Sequence, residues 1–293
     1  MTLFFQQLLV GLTNGAVYAS LALAVAIIYR ATGVVNLAQG EISMFSTFIA
    51  WQLNHWGLNI WLSVLLSVAI SFFLGMVIER VTLRPLQGAS TLSVVIVTIG
   101  LMLVFNQLAG WIWQFNVKDF PSLFPSGNIR LGALELPKET IGMLVVLAVA
   151  MVAVFWFFQR TKTGLAMRAA ANSRDSARLV GVPVSRMLML GWGLAAALGA
   201  LAGPMVASQV FLEPNMMSGI MIYSFAAAVL GSLNSAPGAV VGGMIVGLSE
   251  VLGSTYVPFI GGDLKILVPF VIIVGVLLVK PTGLFGKKGV VRV

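Results

Sequence analysis

Long apolar runs, separated by short polar stretches, follow one another along the whole chain. A helix needs about 20 residues, rising about 1.5 Å each, to cross about 30 Å of hydrocarbon. Runs of that length predict membrane-spanning helices, so we expect an all-α, polytopic integral membrane protein. The full-length candidate spans are 6–29, 60–79, 92–113, 140–159, 186–211 and 263–280.

Two apolar regions are less regular than the rest. Residues 38–53 form a run of about 16 residues, or about 24 Å of helix, which is short for a span. Residues 218–253 are long enough for two short spans but are interrupted by GSLNSAPGAVVGG. We therefore expect about eight transmembrane helices, nine crossings if this region crosses twice, with interrupted helices near 30–41 and 232–243.

The two interruptions resemble each other in sequence. Tyr18 is followed fifteen residues later by Gly33, and Tyr223 is followed fifteen residues later by Gly238. The acidic residues that come next are Glu41 and Glu250. Transporters often carry weak duplications with broken helices at matching positions, so an internal pseudo-repeat is one interpretation. Chance similarity of small apolar residues is the other.

The composition agrees with a membrane protein, because 59% of residues are hydrophobic and only 9% are charged. Soluble domains carry about 25% charged residues. The net charge of +8 could suggest a nucleic-acid partner, but the basic residues cluster in short polar segments, which is the mark of cytoplasmic loops. The clustered basic residues are Arg30, Arg80, Arg84, Arg160, Lys162, Arg168, Arg174, Arg178, Arg186, Lys280, Lys287, Lys288 and Arg292.

This bias predicts a cytoplasmic C-terminus and an N-terminus outside or in the outer leaflet. Such ends require an odd number of crossings, so one irregular segment is either a ninth crossing or a re-entrant segment. Residues 114–139 are then external, and their Pro and Gly residues and short alternating runs predict a small hairpin on the outer face.

A long polar segment, QRTKTGLAMRAAANSRDSARLVGVPVSR, fills residues 159–186. Its helix formers, with a Gly at each end and a Pro just beyond, predict a short amphipathic helix. That helix either presses into a cytoplasmic partner or lies on anionic headgroups. The residues alone leave both interpretations open.

Several stretches are similar, in the same order, to the LivH-type permeases of bacterial ABC importers for branched-chain amino acids. They include GLTNGAVYASLALAVAIIYRATGVVNLAQGE, ERVTLRPLQGASTLSVVIVTIG, AAAVLGSLNSAPGAVVGGMIVGLSE and KPTGLFGKK. The resemblance runs from end to end. It implies a single permease domain over 1–293, with the ABC-importer permease fold, in a bacterial inner membrane.

The resemblance also implies partners. They are a second related permease, two cytoplasmic ABC ATPases and a periplasmic substrate-binding protein. The segment 160–186 then becomes a coupling-helix loop. The residues that carry the coupling pattern are Gly164, Leu165, Arg168, Ala169, Asn172, Ala177 and Gly181.

The chain contains no G-x-x-x-x-G-K-[ST] phosphate loop, and GLFGKKG has the wrong spacing. We therefore expect ATP and Mg to be bound by the partner ATPases, with no catalytic residue and no cofactor on this chain. His55 is the only histidine and no cysteine is present, so we expect no metal site either.

Polar side chains in the apolar segments are the candidates for a transport path. The proposed pathway residues are Asn14, Tyr18, Asn36, Gln39, Ser232 and Asn234. The proposed helix-break or structural-charge residues are Gly33, Gly40, Glu41, Gly238 and Glu250. Asn36 and Gln39 either satisfy backbone groups at the break or touch substrate, and Glu41 either pairs with Arg30 or complements the start of a helix.

The function predicted from these features is ATP-driven import of branched-chain or similar hydrophobic amino acids by alternating access. Relatives of this type carry other cargo as well, so urea, short amides and aromatic acids are alternatives. An ion-coupled secondary transporter that uses Glu41 and Glu250 is a further alternative of a different class.

Overall fold

The computed structural model describes residues 2–86, 88–131, 134–258 and 262–286, and these residues are mostly helical. Within them lie α1 Thr2–Thr32, α2 Gln39–His55, α3 Ile60–Ile78, α4 Thr91–Trp113, α5 Lys138–Arg160, α6 Lys162–Asn172, α7 Arg174–Leu179, α8 Val184–Ala207, α9 Met217–Gly231, α10 Ala236–Tyr256 and α11 Leu267–Val279. A π-helical turn at Glu79–Leu83, short 3₁₀ turns at Arg84–Leu86 and Gly262–Ile266, and strands β1 Asn128–Leu131 and β2 Leu134–Pro137 complete the description.

The all-α, polytopic prediction is confirmed. Helices α1, α3, α4, α5, α8 and α10 are each long and apolar enough to cross a membrane. Helices α9 and α11 are apolar but shorter, with 15 and 13 residues, and α2 has 17. The number of crossings therefore stays a prediction.

One predicted span is wrong in extent. The run 263–280 was expected to form a full-length helix, but α11 starts only at Leu267, after the 3₁₀ turn Gly262–Ile266. Gly and Asp are poor helix formers, and two of them open this segment. Both expected interruptions are observed, between α1 and α2 and between α9 and α10.

The ends of the helices lie on two opposite sides of the bundle. On the first side, Lys118 and Leu212 pair through backbone hydrogen bonds of 2.9 Å, and Ser208 Oγ donates to Glu139 Oε1 at 3.0 Å. Strands β1 and β2 form an antiparallel hairpin within 114–139, next to the start of α5. We call this side the hairpin end.

On the opposite side, Arg168 Nη1 donates to Gln159 Oε1 at 3.1 Å, which fastens α6 to the end of α5. The clustered arginines of the described residues lie on this side, which we call the basic end. Lys287, Lys288 and Arg292 lie outside the described residues.

Helix α1 lies at the centre of the bundle and packs against α10 through glycines on both helices. A Cβ atom on Gly243 would overlap Ala19, and one on Gly247 would overlap the backbone of Gly15. Glycine has no side chain, so it allows two helix backbones to approach closely in a membrane. The α1–α10 pair therefore forms a core around which the more exposed helices α4, α5 and α11 are arranged.

Helix α2 runs parallel to α8 and begins part-way along it. Gln39 Nε2 donates to the carbonyl of Ala195 at 3.0 Å, and Ser43 Oγ donates to the carbonyl of Gly199 at 2.6 Å. Because α8 begins at Val184, the first residue of α2 lies about 16 Å along α8 from its start at the basic end. The break before α2 thus places a helix start at mid-depth in the bundle.

Candidate functional site

The break between α1 and α2 opens with a glycine. Gly33 has a φ of +75°, and its N–H donates to the carbonyl of Tyr29 at 2.7 Å. A left-handed residue of this kind commonly ends a helix, and glycine adopts it without steric cost. Gly33 therefore terminates α1, as the sequence interpretation of this residue proposed.

The two amides of this break are fully buried. Asn36 Oδ1 accepts from the N–H of Ala38 at 3.0 Å, and Asn36 Nδ2 donates to Gln39 Oε1 at 3.4 Å. Gln39 in turn donates to the carbonyl of Ala195 on α8. Asn36 thus satisfies a backbone group of the break and Gln39 satisfies one of α8, and neither side chain lines a cavity described below. Contact of these amides with substrate stays a prediction.

A cavity of about 560 Å³ lies beside the start of α2, between α2, α4, α9 and α11. Most of its wall is apolar. The polar groups on the wall are Glu41, Asn106, Asn215 and Ser218. The apolar side chains include Met102, Leu103, Met217, Met221, Ile222, Phe225, Phe270 and Ile273.

Glu41 is the acidic side chain of this wall. It lies in the first turn of α2, where a negative charge complements the helix dipole. Its carboxylate accepts from Asn106 Nδ2 at 3.4 Å, and the same amide group donates to the carbonyl of Pro214 at 2.9 Å. Among the described residues Glu41 forms no ion pair, so the predicted pairing with Arg30 is not observed, and Arg30 lies instead at the basic end.

This arrangement suits a cationic group carried on an apolar body. A carboxylate in an apolar wall is costly unless a cation or hydrogen-bond donors compensate it, and here one amide is its neighbour. Gly40, next to Glu41, allows Met217 and Met221 to approach closely, since a Cβ there would lie 3.3 Å from each. Within the described ranges, no group of three His, Cys, Asp or Glu side chains is placed to hold a metal ion.

Two of the proposed pathway residues belong to a separate polar cluster on α1 and α10. Tyr18 Oη donates to Glu250 Oε2 at 2.7 Å, and Asn14 Nδ2 donates to the same oxygen at 3.3 Å. The ring of Tyr18 stacks on that of Tyr223 with centroids 4.9 Å apart. Tyr18 is buried in this cluster, while Asn14 also reaches a second cavity of about 470 Å³ at the hairpin end.

The break between α9 and α10 is a closed corner. Ser232 has a φ of +105° and is buried, and Ser235 caps α10 by accepting from the N–H of Gly238 at 3.1 Å. A Cβ atom on Gly231 would overlap the carbonyl of Gly238. Asn234 is exposed, so neither it nor Ser232 contributes to the cavity beside Glu41.

The two breaks therefore differ in local structure, which the proposed pseudo-repeat did not anticipate. Gly33 ends a helix in the left-handed region, whereas Gly238 lies in the first turn of α10 and is needed for close packing. Tyr18 and Tyr223, the tyrosines at matching positions of the proposed repeat, stack on each other. They therefore share one site and do not occupy two equivalent sites.

The proposed coupling segment forms two helices, α6 and α7, separated at Ser173. Thr161 caps α6 by accepting from the N–H of Gly164 at 2.9 Å, and Gly164 packs against the backbone at Phe157. Its other proposed residues divide by exposure. Ala177 is buried, Arg168 and Ala169 are half-buried, and Leu165, Asn172 and Gly181 are exposed.

Sequence reasoning missed functional candidates in both regions. Asn106 was a detectable signal, because it interrupts the apolar run of α4. Leu179 and Val180 are 88% and 77% exposed at the basic end, and an apolar pair inside an arginine-rich segment was a detectable signal too. The arginine of the coupling pattern, Arg168, donates to Gln159 at the end of α5 and lines the cavity between α1, α5 and α6.

Comparison with known proteins identifies the family. Residues 7–277 match the family described as branched-chain amino acid transport system / permease component. The chain belongs to this family. It is a multi-pass membrane permease, as the resemblance in the sequence predicted.

Individual relatives agree along nearly the whole length. The chain is 31% identical to the high-affinity branched-chain amino acid transport system permease protein LivH of Salmonella typhimurium, over 99% of this chain and 98% of that protein. The corresponding protein BraD of Pseudomonas aeruginosa is also 31% identical, with the same two coverages. A probable branched-chain amino acid transport permease protein LivH of Methanocaldococcus jannaschii is 25% identical over 91% of this chain and 87% of its own.

Proposed function

We propose that this chain is the membrane-spanning permease subunit of an ATP-driven importer that moves branched-chain or similar hydrophobic amino acids across a bacterial inner membrane. The family and the transport activities named for its relatives support this cargo. The observation that carries the proposal is the cavity of about 560 Å³, which combines a mainly apolar wall with the carboxylate of Glu41.

Each part of such a substrate has a matching surface. The α-ammonium group faces the Glu41 carboxylate, which has no cationic partner among the described residues. The branched side chain lies against the methionines of α9, which are flexible and adapt to several apolar shapes. A neutral cargo such as urea makes poor use of an acidic group in an apolar wall, so the geometry favours an amino acid.

Movement of the substrate requires partners that this chain does not supply. We place the basic end and the C-terminus in the cytoplasm by the positive-inside rule. There α6 and α7 meet one of the two ATPases that bind ATP and Mg. The exposed side chains Leu165, Asn172 and Leu179 form the contact surface. A second related permease completes the path, and the hairpin end receives the periplasmic binding protein.

Uptake in proteoliposomes tests the class of transporter. The chain is reconstituted with a second permease, both ATPases and the binding protein, and uptake of radiolabelled leucine is followed with internal ATP. We expect uptake that depends on ATP and on both ATPases, with excess unlabelled isoleucine or valine competing and urea not competing. Uptake by this chain alone, driven by an imposed proton or sodium gradient, would contradict the proposal.

A charge placed on the exposed apolar surface of α7 tests the coupling contact. Leu179→Asp removes an exposed apolar contact and should lower ATP-driven leucine uptake about tenfold, the typical cost of losing a central contact residue. Ala89→Asp adds the same charge at an exposed position of the basic end outside α6 and α7, and should leave uptake unchanged. Equal uptake by the two variants would remove α7 from the contact.

A further inference from the structure

A third cavity, of about 330 Å³, lies at the basic end between α1, α5, α6 and the start of α10. It is distinct from the cavity beside Glu41, since the two share no lining residue. Its polar lining comes from Arg30, Gln159 and Arg168, and the rest is apolar. It therefore has a cationic mouth, formed by Arg30 and Arg168, and an apolar interior.

The cationic mouth contains two arginines that have no counter-charge among the described residues. Arg168 Nη1 donates to Gln159, but Arg168 Nε is buried and has no hydrogen-bond partner. Neither Arg30 nor Arg168 forms an ion pair with a carboxylate among the described residues. Two guanidinium groups that line one space repel each other, and an anion between them would relieve the repulsion and satisfy the free N–H.

The apolar interior of this cavity continues onto the exposed apolar surface of α5. Val152 and Phe155 on α5 line the cavity and are 62% and 56% exposed. Leu23 lies seven residues before Arg30, so the apolar wall extends about 10 Å along α1 from the arginines. An elongated apolar group can enter sideways from the membrane and lie along this wall.

We propose that this cavity binds one anionic phospholipid, with its phosphate between Arg30 and Arg168 and part of one acyl chain along the wall formed by α1 and α5. Basic pockets between transmembrane helices at the cytoplasmic side are suited to such headgroups. An acidic side chain of an ATPase fits less well, since it would satisfy the arginines but leave the lipid-facing wall uncovered. The lipid fastens α6 to α1 and α5 at the end of the bundle where the coupling surface lies.

Native mass spectrometry of the purified chain, reconstituted with phosphatidylglycerol or with phosphatidylcholine, tests the proposal. The unsubstituted chain should retain phosphatidylglycerol and lose phosphatidylcholine. The double variant Arg30→Gln/Arg168→Gln should weaken phosphatidylglycerol retention about tenfold or more, as expected for two arginines at a headgroup. The control Arg160→Gln/Lys162→Gln removes the same charge from neighbouring residues that do not line the cavity, and should retain the lipid.

The acyl part of the site needs its own variant. Val152→Trp places a large ring at an exposed position in the outer part of this cavity. It should lower retention of phosphatidylglycerol although no charge changes. Three outcomes would overturn the lipid assignment. The first is equal retention of the two lipids, and the second is an equal loss of phosphatidylglycerol in the control pair. The third is displacement of phosphatidylglycerol by inorganic phosphate together with no effect of Val152→Trp.

Discussion

The two helix breaks of this protein are similar in sequence but differ in structure: one lies beside a cavity and the other is closely packed. The break after α1 covers residues 33–38 and delivers the start of α2 to mid-depth, beside a cavity and with Glu41 on its wall. The break after α9 covers residues 232–235 and is packed shut, because backbone N–H groups of Leu284 and Phe285 donate to carbonyls at the end of α9, at 2.8 and 3.2 Å.

The difference follows from what satisfies the free backbone groups of each break. At the first break, the buried amide of Asn36 accepts from the N–H of Ala38, and Gln39 ties the start of α2 to the carbonyl of Ala195 on α8. The start of α2 is thereby left beside a cavity. At the second break, another segment of backbone takes it, and close glycine packing fills the space. The first break therefore places a helix start beside a cavity, whereas the second fills its own space.

The largest expected effect concerns packing at the second break. Gly231→Val introduces atoms that overlap the Gly238 carbonyl, and we expect a loss of about 3 kcal/mol in stability, near the upper range for overpacking. Thermal unfolding of the detergent-solubilised protein measures it. Gly219→Val lies in the same helix with no atom within 4 Å of its Cβ, and should keep its melting temperature. Equal melting temperatures for both variants would show that the corner is loose.

The next effect separates the two carboxylates. Glu41→Gln removes the charge that we assign to the substrate ammonium, and should lower leucine uptake about tenfold while stability changes little. Glu250→Gln weakens the hydrogen bonds from Tyr18 and Asn14, and should lower stability by about 1–2 kcal/mol while uptake per folded molecule is kept. Uptake and thermal unfolding, measured on both variants, check this, and the opposite pattern would exchange their roles.

The smallest effect compares one amide from each break. Asn36→Ala leaves the N–H of Ala38 without its acceptor in a fully buried place, so we expect a loss of about 1–2 kcal/mol. Asn234 is exposed, and Asn234→Ala should stay within about 0.5 kcal/mol of the unsubstituted protein. Thermal unfolding measures both. A neutral Asn36→Ala together with lost uptake would return Asn36 to the transport path.

Local pattern was enough for most of the architecture. The helices α3, α4 and α5 begin and end within two residues of the apolar runs that predicted them. Hydropathy works here because every backbone group in the hydrocarbon must be satisfied within its own helix, which ties helix length to the length of the run. The run 263–280 departed from this pattern because Gly262, just before it, and Asp263, its first residue, favour a 3₁₀ turn over an α-helix.

The sequence by itself determined the membrane class, the positions of both breaks and, through its motifs, the permease family. Only the tertiary structure decided which polar side chains meet. Asn106 and Glu41 are separated by 65 residues, and Tyr18 and Glu250 by 232, yet each pair is joined by a hydrogen bond. Such contacts depend on how closely whole helices approach. For Tyr18 and Glu250 that distance is set by the glycines at which α1 and α10 face each other. For this reason a similar order of Tyr, Gly and Glu along the chain accompanies a cavity wall at one break and a packed corner at the other.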